Sequence, residues 1–120
     1  MSNTIVLKVT DIVGSDLCIA SDDGEKIHLR VAEALRKHRN VGLSFDGVGI
    51  ITSAFLNAAI GQLYGEFEAE VIRAHLVVSG LEDDDQMLLK RVVETATAYF
   101  RDRERYENVK REVLGEDDAD

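Results

Sequence analysis

The sequence predicts an α/β layer structure, with a small mixed β-sheet, helices packed on it and a long C-terminal helix. Three observations carry that prediction. Short β-branched or alternating runs, such as Ile5 to Thr10, Val41 to Phe45 and His75 to Ser79, have the period of strands. Between and after them, apolar residues recur at helical spacing, which points to helices layered on a sheet. The chain has 120 residues, 45% hydrophobic and 31% charged, which suits one soluble globular domain that fills its own core without disulfides or metal.

In chain order, Ile5, Leu7 and Val9 alternate with Val6, Lys8 and Thr10 and form the first strand. Gly14-Ser15-Asp16 is a turn signal, and the apolar run Leu17 to Ala20 is expected to return as a hairpin partner. Ser21-Asp22-Asp23 offers capping oxygens and negative charge for a helix over about 25–38, with Ile27, Val31, Ala34 and Leu35 on one face. Arg36, Lys37, His38 and Arg39 lie at the end of that helix where cations suit its dipole. The alternation in Lys26 to Val31 leaves a strand as the competing reading of its first part.

Val41 to Phe45 is the next strand, closed by Asp46-Gly47. Thr52-Ser53 is an N-cap pair, and Phe55, Leu56, Ala59, Ile60 and Leu63 continue as a helix ending near Gly65. Small residues at Ala54, Ala58 and Gly61 predict packing on more than one side of this helix. His75 to Ser79 is a strand ended by Gly80, and Asp83-Asp84-Asp85 opens the last helix, with Met87, Leu88, Val92, Ala96, Tyr99 and Phe100 as its stripe. The expected organisation is a domain over 1–102, a helical extension over 103–114 and an acidic disordered tail over 115–120. Tyr99, Tyr106 and Val113 at seven-residue spacing offer a short self-association seam, so a homo-oligomer joined by this helix is one expectation.

The formal net charge is −9. Residues 1–60 carry 6 basic and 7 acidic groups, and residues 61–120 carry 8 and 16, so the acidity belongs to the second half. This balance argues against nucleic acid and against anionic membranes as primary partners. No apolar run spans a bilayer, no basic leader precedes an apolar stretch, and Cys18 is the single cysteine, so a cytoplasmic protein without disulfides or a cysteine zinc site is expected. His28, His38 and His75 are too widely spaced for a helical zinc motif, and Asp83-Asp84-Asp85 lacks the glycine and distal glutamate of a calcium loop. Gly47, Gly49, Gly61 and Gly65 do not build a phosphate loop, and no nucleophile–base pair is evident, so no cofactor, metal or catalytic residue is expected.

The stretch that carries chemistry is Ser44 to Asn57, where a buried strand ends, a short loop turns and a helix begins with two hydroxyl residues. Free N–H groups at such a start favour an anion, and a hydroxyl there either only caps the helix or also accepts a phosphoryl group. Phe45-Asp46-Gly47-Val48 followed by Thr52-Ser53-Ala54-Phe55-Leu56-Asn57 resembles the bacterial STAS-like domain family of unknown function, related to the STAS domains of anti-sigma-factor antagonists. The resemblance covers about residues 4–100.

It implies a small regulatory or interaction module that works beside a protein partner, a histidine-kinase-like ATPase being the kind implied. Ser53 falls where antagonist domains carry the phosphorylated hydroxyl. Thr52 stands where they usually carry Asp, and Ala54 and Phe55 replace the second small hydroxyl and the Gly. The expected site is thus Ser53 or Thr52 as phosphoacceptor, with Asp46, Gly47, Phe55 and Asn57 as contact residues. The rival expectations are a small enzyme or enzyme subunit with a Ser53–Asp46 site and a structural subunit that dimerises through the last helix.

Overall fold

The structure is a computed structural model that describes the backbone of residues 4–114, and side chains up to Arg105 apart from Glu104. Five strands and five α-helices follow in the order β1 (Thr4–Lys8), α1 (Val9–Val13), β2 (Leu17–Cys18), α2 (Ser21–Arg36), β3 (Asn40–Ser44), β4 (Ile50–Ile51), α3 (Ser53–Ala59), α4 (Ala69–His75), β5 (Leu76–Ser79) and α5 (Asp83–Leu114), with a 3-10 helix over Gly61–Gly65. The main sheet has the order β1-β3-β5, and both of its pairings are parallel. Ile5, Val41 and Leu76 share one row of it, and Leu7, Leu43 and Val78 the next. These rows face the helices and form the base of the core. The opposite rows, Val6-Gly42-Val77 and Lys8-Ser44-Ser79, face outward, which is the alternation that a sheet covered on one face requires.

The expected hairpin between the first strand and Leu17 to Ala20 does not form. Val9–Val13 coils into α1, closed by Gly14 at φ 82°, so the chain leaves the sheet before β2 begins. Leu17–Cys18 then pairs in parallel with Ile50–Ile51 in a separate two-stranded sheet. The described sheets are therefore parallel, and the mixed sheet is corrected with the hairpin. The turn signal marked a reversal, but it carried no information about which strand would be the partner.

Helix α2 starts at Ser21, four residues before the predicted start, with Ala20 at the N-cap position. Ser21, Asp22 and Asp23 are therefore not caps. Asp22 and Asp23 lie in the first turn, where negative charge is stabilised by the positive end of the helix dipole. The strand reading of Lys26 to Val31 falls with this, since Ile27, His28, Val31, Ala34 and Leu35 form the buried face of one helix. Gly24 lies against α3, and a Cβ there would stand 2.5 Å from the Phe55 carbonyl oxygen and 2.9 Å from the Ala58 Cβ. Glycine is what lets α2 cross α3 at this distance.

The helix expected from Phe55 to Gly65 is two pieces, α3 and the 3-10 helix, and α4 was not foreseen. Helix α5 runs to Leu114 as one element, so the predicted extension over 103–114 is continuous with the domain helix. The tail over 115–120 lies outside the described residues.

Candidate functional site

The loop after β3 places β4 beside β2, and α3 starts from that pair. Gly49 N–H donates to the Asp16 carbonyl at 2.8 Å, and Thr52 N–H donates to the Cys18 carbonyl at 3.1 Å. Thr52 is the N-cap of α3, and its Oγ1 accepts from the Phe55 amide at 3.1 Å while its hydroxyl donates to the Ile19 carbonyl at 2.6 Å. The Thr52 hydroxyl is thus engaged in both directions. Ser53, the next residue, is exposed and begins the helix.

Ser53 opens onto a groove between α3 and α5, lined also by Asn57 one turn on, and by Leu88, Arg91 and Thr95 from α5. The spacing 88, 91, 92 and 95 is one face of a helix, which is how α5 brings Arg91 to Ser53's side of the molecule. That groove is open to solvent, with a volume of about 440 Å³. Close to Thr52 in the chain or by its bond to Ile19 stand Leu17, Ile19 and Ile50, which are 45%, 46% and 53% exposed. Leu17 and Ile50 are register partners in the β2/β4 pair, and Ile19 follows two residues after Leu17 on the same side.

The predicted site residues separate into two places. Asn57 joins Ser53 in the groove. Phe55 does not, because it is fully buried between the helices and belongs to the core; its expected contact role is corrected. Asp46 and Gly47 sit at the carboxyl ends of the main strands. The Asp46 amide donates to Ser44 Oγ at 3.2 Å, and its Oδ1 lies 2.6 Å from where a Cβ of Gly80 would be. Gly47, at φ 85°, approaches Thr10 instead. Asp46 does not line the groove that Ser53 opens onto.

Sequence reasoning missed the exposed trio and Arg91. Leu17-Cys18-Ile19 carried a signal for the first, since strand alternation with Cys18 inside puts its neighbours outside.

A model of the family described as a STAS-like domain of unknown function matches residues 23–86, a little over half of the chain. The chain belongs to this STAS-like family. The match runs from the first turn of α2 through β3, the Thr52-Ser53 helix start and β5 into the first turn of α5. The STAS-like domain here therefore contains both the α3 start and the loop that carries Asp46. No curated protein and no solved structure matches the chain.

Three further side chains with ionisable groups, Cys18, His28 and His75, are held by burial or by side-chain partners. Cys18 is fully buried, and its thiol is pushed up to about 11 by burial, with Asp23 and Asp16 adding to the effect. A thiol held protonated at neutral pH is a poor nucleophile. His28 is buried on α2, with Nε2 3.3 Å from Glu66, whose other oxygen lies 3.3 Å from Arg36. His75 Nδ1 lies 2.7 Å from Asn40 Oδ1. Among the described residues, no three His, Cys, Asp or Glu are grouped to hold a metal ion, and no helix is long and apolar enough to cross a membrane.

Proposed function

We propose that this STAS-like chain is a non-enzymatic regulatory module that docks a protein partner on the face around Ser53. The observation that carries the reading is the exposed apolar trio Leu17, Ile19 and Ile50 beside the start of α3. Three large aliphatic side chains exposed together beside a helix start are the pattern of a partner surface. A histidine-kinase-like ATPase in the cytoplasm is the kind of partner this reading takes from the family resemblance.

Ser53 is the phosphoacceptor in this reading, and Thr52 is not, because the Thr52 hydroxyl already donates to Ile19 and accepts from Phe55. The partner's ATP supplies the phosphoryl group, ADP leaves, and the Ser53 hydroxyl gives up its proton. Arg91, across the groove, is placed to meet the new negative charge. An enzyme built on Ser53 and Asp46 has less support, since Asp46 is packed toward Gly80 and not into the groove.

The test is intact-mass analysis of the full chain after incubation with ATP and a histidine-kinase-like ATPase from the same organism, alongside Ser53→Ala. One phosphate on the wild type and none on Ser53→Ala is the expected result. No added phosphate removes the switch. Loss of binding on Ile50→Lys would then still separate a docking module from a chain with no partner at this face.

A further inference from the structure

A second cleft, of about 520 Å³, lies between the end of β5, the 3-10 helix, α4 and α5. It shares no lining residue with the Ser53 groove. Gly80, at φ 84°, turns the chain at the carboxyl end of β5 and forms part of its wall. Ligands of open α/β sheets gather outside the carboxyl ends of parallel strands, and a size of about 300–1,000 Å³ with a mostly apolar lining is usual for small-molecule sites.

The sequence builds this cleft with two helical spacings. Leu89 and Val93, four residues apart on α5, meet Val78 and Leu81 to make an apolar floor. Lys90 and Glu94, the next pair on α5, stand at the rim, and Arg73 reaches it from the last turn of α4. Among the described residues, neither Arg73 nor Lys90 has a carboxylate within ion-pair distance. Two cations and one carboxylate leave the rim one positive charge in excess, on a chain whose net charge is −9. One excess charge is matched by a monoanion, and the floor needs an apolar body.

We propose that this cleft binds an organic monocarboxylate, with the carboxylate held between Arg73 and Lys90 and the apolar body on Val78, Leu81, Leu89 and Val93. Tyr64 lines the same cleft. Burial raises its phenol above the usual range, against the pull of Arg73, so it stays protonated at neutral pH. The carboxylate is either that of a free acid or the terminus of a partner chain ending in an apolar residue.

The experiment is an amide-resolved NMR titration of the full chain with 3-phenylpropionate, with neutral 3-phenylpropanamide as its twin at matched ionic strength. Saturable shifts at Val78 to Leu81 and Leu89 to Val93 are expected with the acid, and the amide should bind about tenfold more weakly for want of the charge-assisted bonds. The double variant Arg73→Gln, Lys90→Gln should weaken the acid about tenfold and leave the amide unchanged. Equal binding of acid and amide, no saturation, or an unaffected double variant would overturn the proposal.

Acetyl-Gly-Gly-Phe, as the free acid and as the C-terminal amide, then separates the sources. Tighter binding of this free acid than of 3-phenylpropionate assigns the cleft to a chain terminus, and equal or weaker binding assigns it to a small acid. Neither the probes nor the variants touch Ser53, so this result stands apart from the test of the docking reading.

Discussion

The Thr52 hydroxyl donates to the carbonyl oxygen of Ile19 at 2.6 Å, which ties the chain after β2 to the first residue of the α3 cap. Thr52 Oγ1 also accepts from the Phe55 amide, so one side chain both caps a helix and joins two segments 33 positions apart. This bond fixes the apolar trio and the exposed Ser53 relative to one another, and it makes the face sensitive to a single substitution.

Thr52→Val keeps the shape and removes both bonds. Loss of a cap costs about 1 kcal/mol, and the second, exposed bond to Ile19 adds up to about 1 kcal/mol, for a total of about 1–2 kcal/mol. In a domain of this size each 1 kcal/mol lowers Tm by roughly 4–8 °C. Thr52→Ser, which retains the hydroxyl, should recover most of the loss in urea denaturation.

Gly24→Ala tests the crossing of α2 and α3. Helix propensity alone favours Ala over Gly by about 1 kcal/mol. The added Cβ would meet the Phe55 carbonyl oxygen and the Ala58 Cβ well inside contact distance, and a backbone atom cannot swing away as a side chain can. Overpacking of this kind costs about 1–3 kcal/mol, so the net change is destabilising, and a midpoint raised in denaturant would refute the close crossing.

Cys18 predicts a pH dependence. Its thiol titrates at about 11 in the folded chain against 9.0 for the free group. Between these values the unfolded chain has lost a proton that the folded chain keeps, so stability contributed by this group falls as pH rises from 9 to 11. Cys18→Ala removes that part of the slope. At pH 8 the native thiol should react with a disulfide reagent far more slowly than the urea-unfolded thiol, as followed by absorbance.

Ile50→Lys addresses the proposed partner surface. Ile50 is more than half exposed, so the change should alter stability by no more than about 0.5 kcal/mol. Binding to the partner, measured by isothermal calorimetry, should drop at least about tenfold if the trio is the docking core. A thermally unchanged variant with unchanged binding would move the interface elsewhere.

Most elements were legible because period is a local property. Ile5 and Leu7, Val41 and Leu43, and Leu88, Val92 and Ala96 of the α5 stripe face the core as their spacing required, whereas Met87 and Tyr99 of that stripe are exposed. Helix α1 was not legible: Val9, Ile12 and Val13 are β-branched, and their packing against α2 outweighed a strand preference. Helix α4 was hidden because Glu68 to Arg73 mixes charge with apolar residues over too few turns to show a period.

The candidate site divides along the same line. The capping role of Thr52 and the exposed helix start at Ser53 follow from residue type and place in the chain, since a cap is made within three residues. What the sequence determined by itself is therefore the strands β1, β3 and β5, the helices α2 and α5, the Thr52-Ser53 helix start, the STAS-like resemblance and the placing of the negative charge in the second half. Tertiary structure alone decided that β2 pairs with β4 and not with β1, that Asp46 lies against Gly80 and away from Ser53, that Phe55 is core, and that Arg73 and Lys90 share one cleft. The reason is one of range: periodicity and capping are set by bonds within a few residues, whereas strand partners and clefts are set by which distant segments bury each other.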